Sequence, residues 1–67
     1  MSEDDRRLAT EAMRANAAVN SGPPMAKAGG RKKLAQLHSQ LSSDPERLGR
    51  VTMLATQMSG GNFSWHL

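Results

Sequence analysis

Leu41-Ser42-Ser43-Asp44-Pro45-Glu46-Arg47-Leu48 reads as the end of one helix and the start of the next. Ser43 and Glu46 match a capping box, in which each satisfies a free backbone N–H of the new helix. Alternatively Asp44 caps, and Pro45 takes the first helical position, where its missing N–H is no loss. Upstream, Leu34, Leu37 and Leu41 fall at i, i+3 and i+7 and line one helix face. Downstream, Leu48, Val51, Ala55 and Met58 continue an apolar face, with Leu54 beside it. Residues 31–59 therefore read as an αα-hairpin, with Leu34, Leu37, Leu41, Leu48, Val51 and Leu54 as its contact. Gly49 inside the third helix is either a neutral surface residue or a point of close helix–helix approach, the latter slightly favoured. Gly60-Gly61 ends the helix through a left-handed cap.

Working toward the N-terminus, Ser2-Glu3-Asp4-Asp5 reads as a helix start. Ser2 can accept from the N–H of Asp5, and three acids in the first turn suit the helix dipole. Leu8, Ala12, Ala15 and Val19 follow on one narrow, alanine-rich face over residues 1–20. Asn20-Ser21-Gly22 ends that helix, and Pro23-Pro24 prevents its continuation. Residues 21–30 hold two prolines and three glycines, which predicts a flexible linker with the second helix starting at Arg31. Beyond the last helix, residues 60–67 form a tail in which Phe63, Trp65 and Leu67 alternate with polar residues, an extended pattern with three apolar groups on one side.

The expected fold is all-α: three short helices, a Gly/Pro loop and an apolar tail. Its core is thin, with no Ile, two Val, seven Leu and five Met in 67 residues. A domain this small buries only about 60% of the surface its unfolded chain exposes. No cysteine is present to staple it, and that absence identifies no compartment. No run reaches the roughly 20 apolar residues of a membrane span. The acidic N-terminus does not resemble the basic, apolar start of a signal peptide.

Charge is unevenly placed. Residues 21–43 carry four bases and no acid within a chain of net charge +3. Gly29-Gly30-Arg31-Lys32-Lys33 could bring backbone N–H groups and cations to a phosphate, although the P-loop pattern is absent. Lys27, Arg31, Lys32 and Lys33 are thus candidate contacts to nucleic-acid phosphates or to an acidic partner. The plainer reading is a solvated basic loop, and no aromatic residue is interleaved to stack on bases. His38 and His66 are far apart in sequence and no Cys is available, so neither a metal nor a cofactor is expected. His38, four residues after Leu34, is placed at the edge of the hairpin face. No nucleophile–base signature surrounds any Ser or Thr, and the chain is read as not an enzyme.

Leu41 to Leu48 also resembles, over eight positions, the helix–turn–helix of secretion-needle and inner-rod subunits; no residue role is carried over from it. Sequence-specific DNA reading by such a turn is disfavoured, because Asp44 and Glu46 would face the DNA backbone. Two functions follow. One is a small helical protein–protein interaction module: a subunit, adaptor or inhibitor that docks on a larger assembly or on a second copy. It would use Phe63, Trp65 and Leu67 as apolar anchors inserted into the partner, although the tail could equally fold back to cover the hairpin. The other is a basic nucleic-acid-associated protein that contacts phosphates through residues 27–33.

Overall fold

The computed structural model describes residues 2–66, so Leu67 lies outside the described residues. Three helices follow in order: α1 (Glu3–Ser21), α2 (Pro24–Leu41) and α3 (Pro45–Met58). No strand occurs among the described residues, and the fold is all-α as the sequence implies.

Each helix end has a local cause. Ser2 Oγ accepts from the N–H of Asp5 at 3.1 Å, which caps α1 as expected. At α3 the second register holds: Asp44 Oδ1 accepts from the N–H of Arg47 at 3.1 Å, and Pro45 opens the helix. The far end of α3 closes through Gly60 and Gly61, whose φ angles are 63° and 94°. Gly61 N–H donates to the Thr56 carbonyl at 2.9 Å and Gly60 N–H to that of Gln57 at 3.3 Å. This six-to-one and five-to-two pair needs a left-handed residue, which glycine supplies without a Cβ clash.

α2 differs from its expected extent. It starts at Pro24 rather than Arg31, and only Gly22 and Pro23 separate it from α1. Pro24 sits in the first turn, where proline is tolerated, and Ala26, Lys27 and Ala28 are good helix formers. Gly29 and Gly30 weaken the helix locally, but tertiary packing overrides that cost. Gly30 is buried against α1, and a Cβ there would lie 2.7 Å from the Ala15 carbonyl oxygen and 2.8 Å from Val19 Cγ2. Of the pair read as a flexible break, Gly29 is exposed with nothing within 4 Å of a Cβ, and Gly30 is the place where α1 and α2 meet.

The core is arranged around α1. Leu8, Ala9, Ala12, Ala15 and Val19 of α1 are buried with Leu34, Leu37 and Leu41 of α2 and Val51 and Ala55 of α3. Leu48 and Leu54 are only partly buried against this cluster. α2 and α3 succeed one another across a short turn, yet each packs far more extensively on α1 than on the other. The alanine stripe explains this geometry, since small side chains let two helices approach α1 at once.

Gly49 has no such role. It is exposed, and a Cβ there would meet nothing within 4 Å. The favoured reading of close approach at Gly49 is corrected: that role belongs to Gly30. Gly49→Ala is accordingly expected to stabilise the fold by up to about 1 kcal/mol through helix propensity alone, measurable as a higher urea midpoint.

Candidate functional site

The tail does not extend into solvent. Residues 62–66 turn back across the helices, and two polar side chains hold them there. Asn16 is 3% exposed in the middle of α1. Its Nδ2 donates to the Asn62 carbonyl at 3.0 Å, and its Oδ1 accepts from the N–H of Ser64 at 3.3 Å. A buried amide costs stability unless both ends are paired, and here the tail backbone pairs both. Trp65 Nε1 then donates to Thr52 Oγ1 on α3 at 2.8 Å. Phe63 and Trp65 both pack against the core as partly buried groups.

Folding the tail back aligns four rings. Phe63 meets Trp65 edge to face at 5.0 Å, Trp65 meets His38 at 5.5 Å, and His38 meets His66 at 5.5 Å. Edge-to-face and tilted packing suits the ring quadrupoles. His38 comes from α2 and joins the row from its partly buried position.

Between α2 and this row runs an open groove of about 680 Å³. Arg31, Leu34, Ala35, His38 and Ser39 line it from α2, Ser42 from the helix's C-cap, and Trp65 and His66 from the tail. Among the described residues no acidic side chain lines it. The structure thus brings together two residues assigned to separate candidate sites, Arg31 from the basic set and Trp65 from the aromatic set. The remaining candidates are elsewhere. Lys33 pairs with Glu11 at 3.4 Å. Lys27 and Lys32 lie on α2 outside the groove lining, and among the described residues no ion pair ties either of them or Arg31 to a carboxylate. Phe63 backs Trp65 rather than lining the groove, and Leu67 is outside the described residues. Lys27, Arg31, Lys32 and Lys33 are all residues of a helix, not of a loop.

A second polar cluster was missed by sequence reasoning. Asp5, read as a dipole-complementing acid in the first turn, is 3% exposed. Its Oδ1 accepts from Arg47 Nε at 2.8 Å and its Oδ2 from Arg50 Nε at 3.1 Å. Hydrogen bonds from Arg47 first, then Arg50, hold the Asp5 carboxyl below its usual range, and they outweigh the opposing effect of burial. The Arg47 guanidinium is raised in turn, chiefly by its hydrogen bond to Asp5. This clamp fastens the start of α1 to α3. Its signal was available: Asp5 lies three residues before Leu8 and seven before Ala12, on the apolar stripe itself.

The clamp sets an acid dependence. Unfolded, the Asp5 carboxyl titrates near 3.8, and folded it titrates lower. The contribution is fully present above the unfolded value and is lost as the pH falls through the folded one. Stability should therefore fall between neutral pH and about pH 3, and the fall should be shallower in Asp5→Asn. Urea midpoints at the two pH values check this; an equal fall in both proteins would remove Asp5 as a cause.

Comparison of the chain with protein-family models, with curated proteins and with solved structures finds no match in any of the three. Among the described residues no three His, Cys, Asp or Glu converge as a metal site, and no helix is long and apolar enough to cross a membrane.

Proposed function

We propose that the protein is a small helical interaction module, which acts by binding another macromolecule and not by catalysis. In this reading it is a subunit, adaptor or inhibitor that docks on a larger assembly or on a second copy. Trp65 provides the apolar contact and Arg31 the charged one. The observation that carries the reading is their presence in one groove. Aromatic side chains and arginine are the residues that most often dominate binding energy at protein interfaces. The indole N–H of Trp65 is already engaged by Thr52, which fixes the ring and lowers the entropy lost when a partner packs on it.

Nucleic-acid association through Lys27, Arg31, Lys32 and Lys33 is the second reading, and one observation favours it. The groove puts rings beside a cation, the pairing used by single-strand binders. Against it, the rings meet edge to face and at tilts of 59° to 87°, so they offer no parallel ladder of faces to successive bases. Lys33 is also occupied by Glu11.

Fluorescence anisotropy of a labelled single-stranded oligonucleotide separates the two readings. The module reading expects weak association that is little changed by Lys32→Ala. Tight binding that Lys32→Ala weakens, with affinity falling steeply as salt rises, would transfer the function to the second reading.

A further inference from the structure

We propose that the groove between α2 and the tail receives an acidic peptide segment, with its carboxylates toward Arg31 and an apolar side chain against Trp65. This rests on the interaction-module reading and names the chemistry of the partner.

Charge complementarity comes from Arg31 on the α2 wall, and neither wall opposes it with an acidic side chain among the described residues. α2 carries Lys27, Arg31, Lys32 and Lys33 and no acid along its whole length, and the tail from Ser59 to His66 has none either. Among the described residues a ligand lying in the groove therefore meets no repelling side-chain carboxylate, and it meets an exposed guanidinium that no described acid neutralises. Guanidinium binds carboxylate through two parallel hydrogen bonds, which gives direction as well as attraction. Lys27, one turn before Arg31, extends the cationic line past the groove.

The apolar part follows from the rings. Trp65 spends its only donor on Thr52, so what it presents to the groove is ring surface. Ala35, exposed on α2 beside the buried Leu34, continues that surface. Polar acceptors and donors are sparse but present. Ser42 Oγ donates to the His38 carbonyl at 2.7 Å, which leaves its lone pairs free for a ligand N–H. The hydroxyl of Ser39 lines the same wall. A chain with alternating acidic and apolar side chains matches this arrangement, because an extended peptide sends successive side chains to opposite sides.

The test is amide and indole chemical-shift mapping of the full-length protein with a synthetic peptide in which glutamate alternates with leucine and phenylalanine. A counterpart with every glutamate replaced by glutamine serves as the control. The expected result is perturbation centred on Arg31, Ala35, Ser39 and the Trp65 indole with the acidic peptide and little with the control. Arg31→Gln, at an exposed site that leaves the core untouched, should weaken the acidic peptide roughly 2- to 5-fold, with Arg31→Lys between. Equal response to both peptides, or none to either, overturns the proposal. Perturbation confined to another face also overturns it while leaving the module reading in place. Displacement of the acidic peptide by an oligonucleotide of equal charge at lower concentration overturns both.

Discussion

Leu37→Ala is expected to lower stability by about 2–5 kcal/mol. Leu37 is 2% exposed and sits on α2 between the buried Leu34 and Leu41, within the core cluster shared with α1 and α3. Truncation removes the transfer free energy of its methyl and methylene groups and leaves a cavity. Its surroundings are the buried cluster of leucine, alanine and valine side chains on three helices, and close-packed interiors relax only partly to fill such a void. For a chain of 67 residues, the usual 0.05–0.15 kcal/mol per residue gives a total of roughly 3–10 kcal/mol. The substitution should therefore leave a substantial unfolded fraction, visible as lost helical circular dichroism or a much lower urea midpoint. Leu48→Ala, which the apolar pattern alone would rank equal, should cost less, because Leu48 is only partly buried. A loss under about 1 kcal/mol for Leu37→Ala would contradict the assigned core.

Gly30→Ala is the second large effect, of about 1–3 kcal/mol, and it opposes helix propensity. In an exposed helix interior this change stabilises by nearly 1 kcal/mol, as expected at Gly49. At Gly30 the new methyl group meets the Ala15 carbonyl oxygen and Val19 Cγ2 inside 3 Å. One of those atoms belongs to backbone and cannot rotate away, so α1 and α2 must separate. Separation would loosen the contacts of Ala15 and Val19 and shift the groove wall at Arg31, the next residue. The pair Gly30→Ala and Gly49→Ala thus forms an internal control. Thermal unfolding should move in opposite directions for the two variants, and the same direction for both would refute the close approach at Gly30.

Much of the fold was legible because local signals agreed with tertiary ones. Ser2, Asp44-Pro45 and Gly60-Gly61 carry their caps in a few adjacent residues, and the leucines of α2 repeat at helical spacing. Where the reading departed from the structure, a local signal opposed a tertiary one. Gly29-Gly30 looks like a break when considered as chain flexibility, yet both lie within α2, and Gly30 is a helical contact once α1 is beside it. Asp5 and Asn16 look like solvent-facing polar residues until their position on the alanine stripe is counted. Each is then buried and paired with residues more than forty positions away. The candidate site was legible as parts. Trp65 and Arg31 were both singled out, but no spacing rule connects a terminal aromatic to the second helix. Their meeting depends on Asn16 turning the tail back, a long-range hydrogen-bond pairing that periodicity does not encode.

Trp65 offers the most direct measurement, since it is the only tryptophan and the chain has no tyrosine. Its emission and acrylamide quenching, recorded in buffer and in urea, report whether the tail closes over the helices and forms one wall of the groove. The expected result is a partly blue-shifted native emission, quenched less than in urea, that moves to that of a solvated indole on unfolding, together with slowed exchange of the indole proton held by Thr52. Asn16→Ala should shift the native spectrum part of the way toward the unfolded one. Native emission and quenching identical to those in urea would mean that the tail is free in solution, and neither the groove nor its pairing of Arg31 with Trp65 would stand.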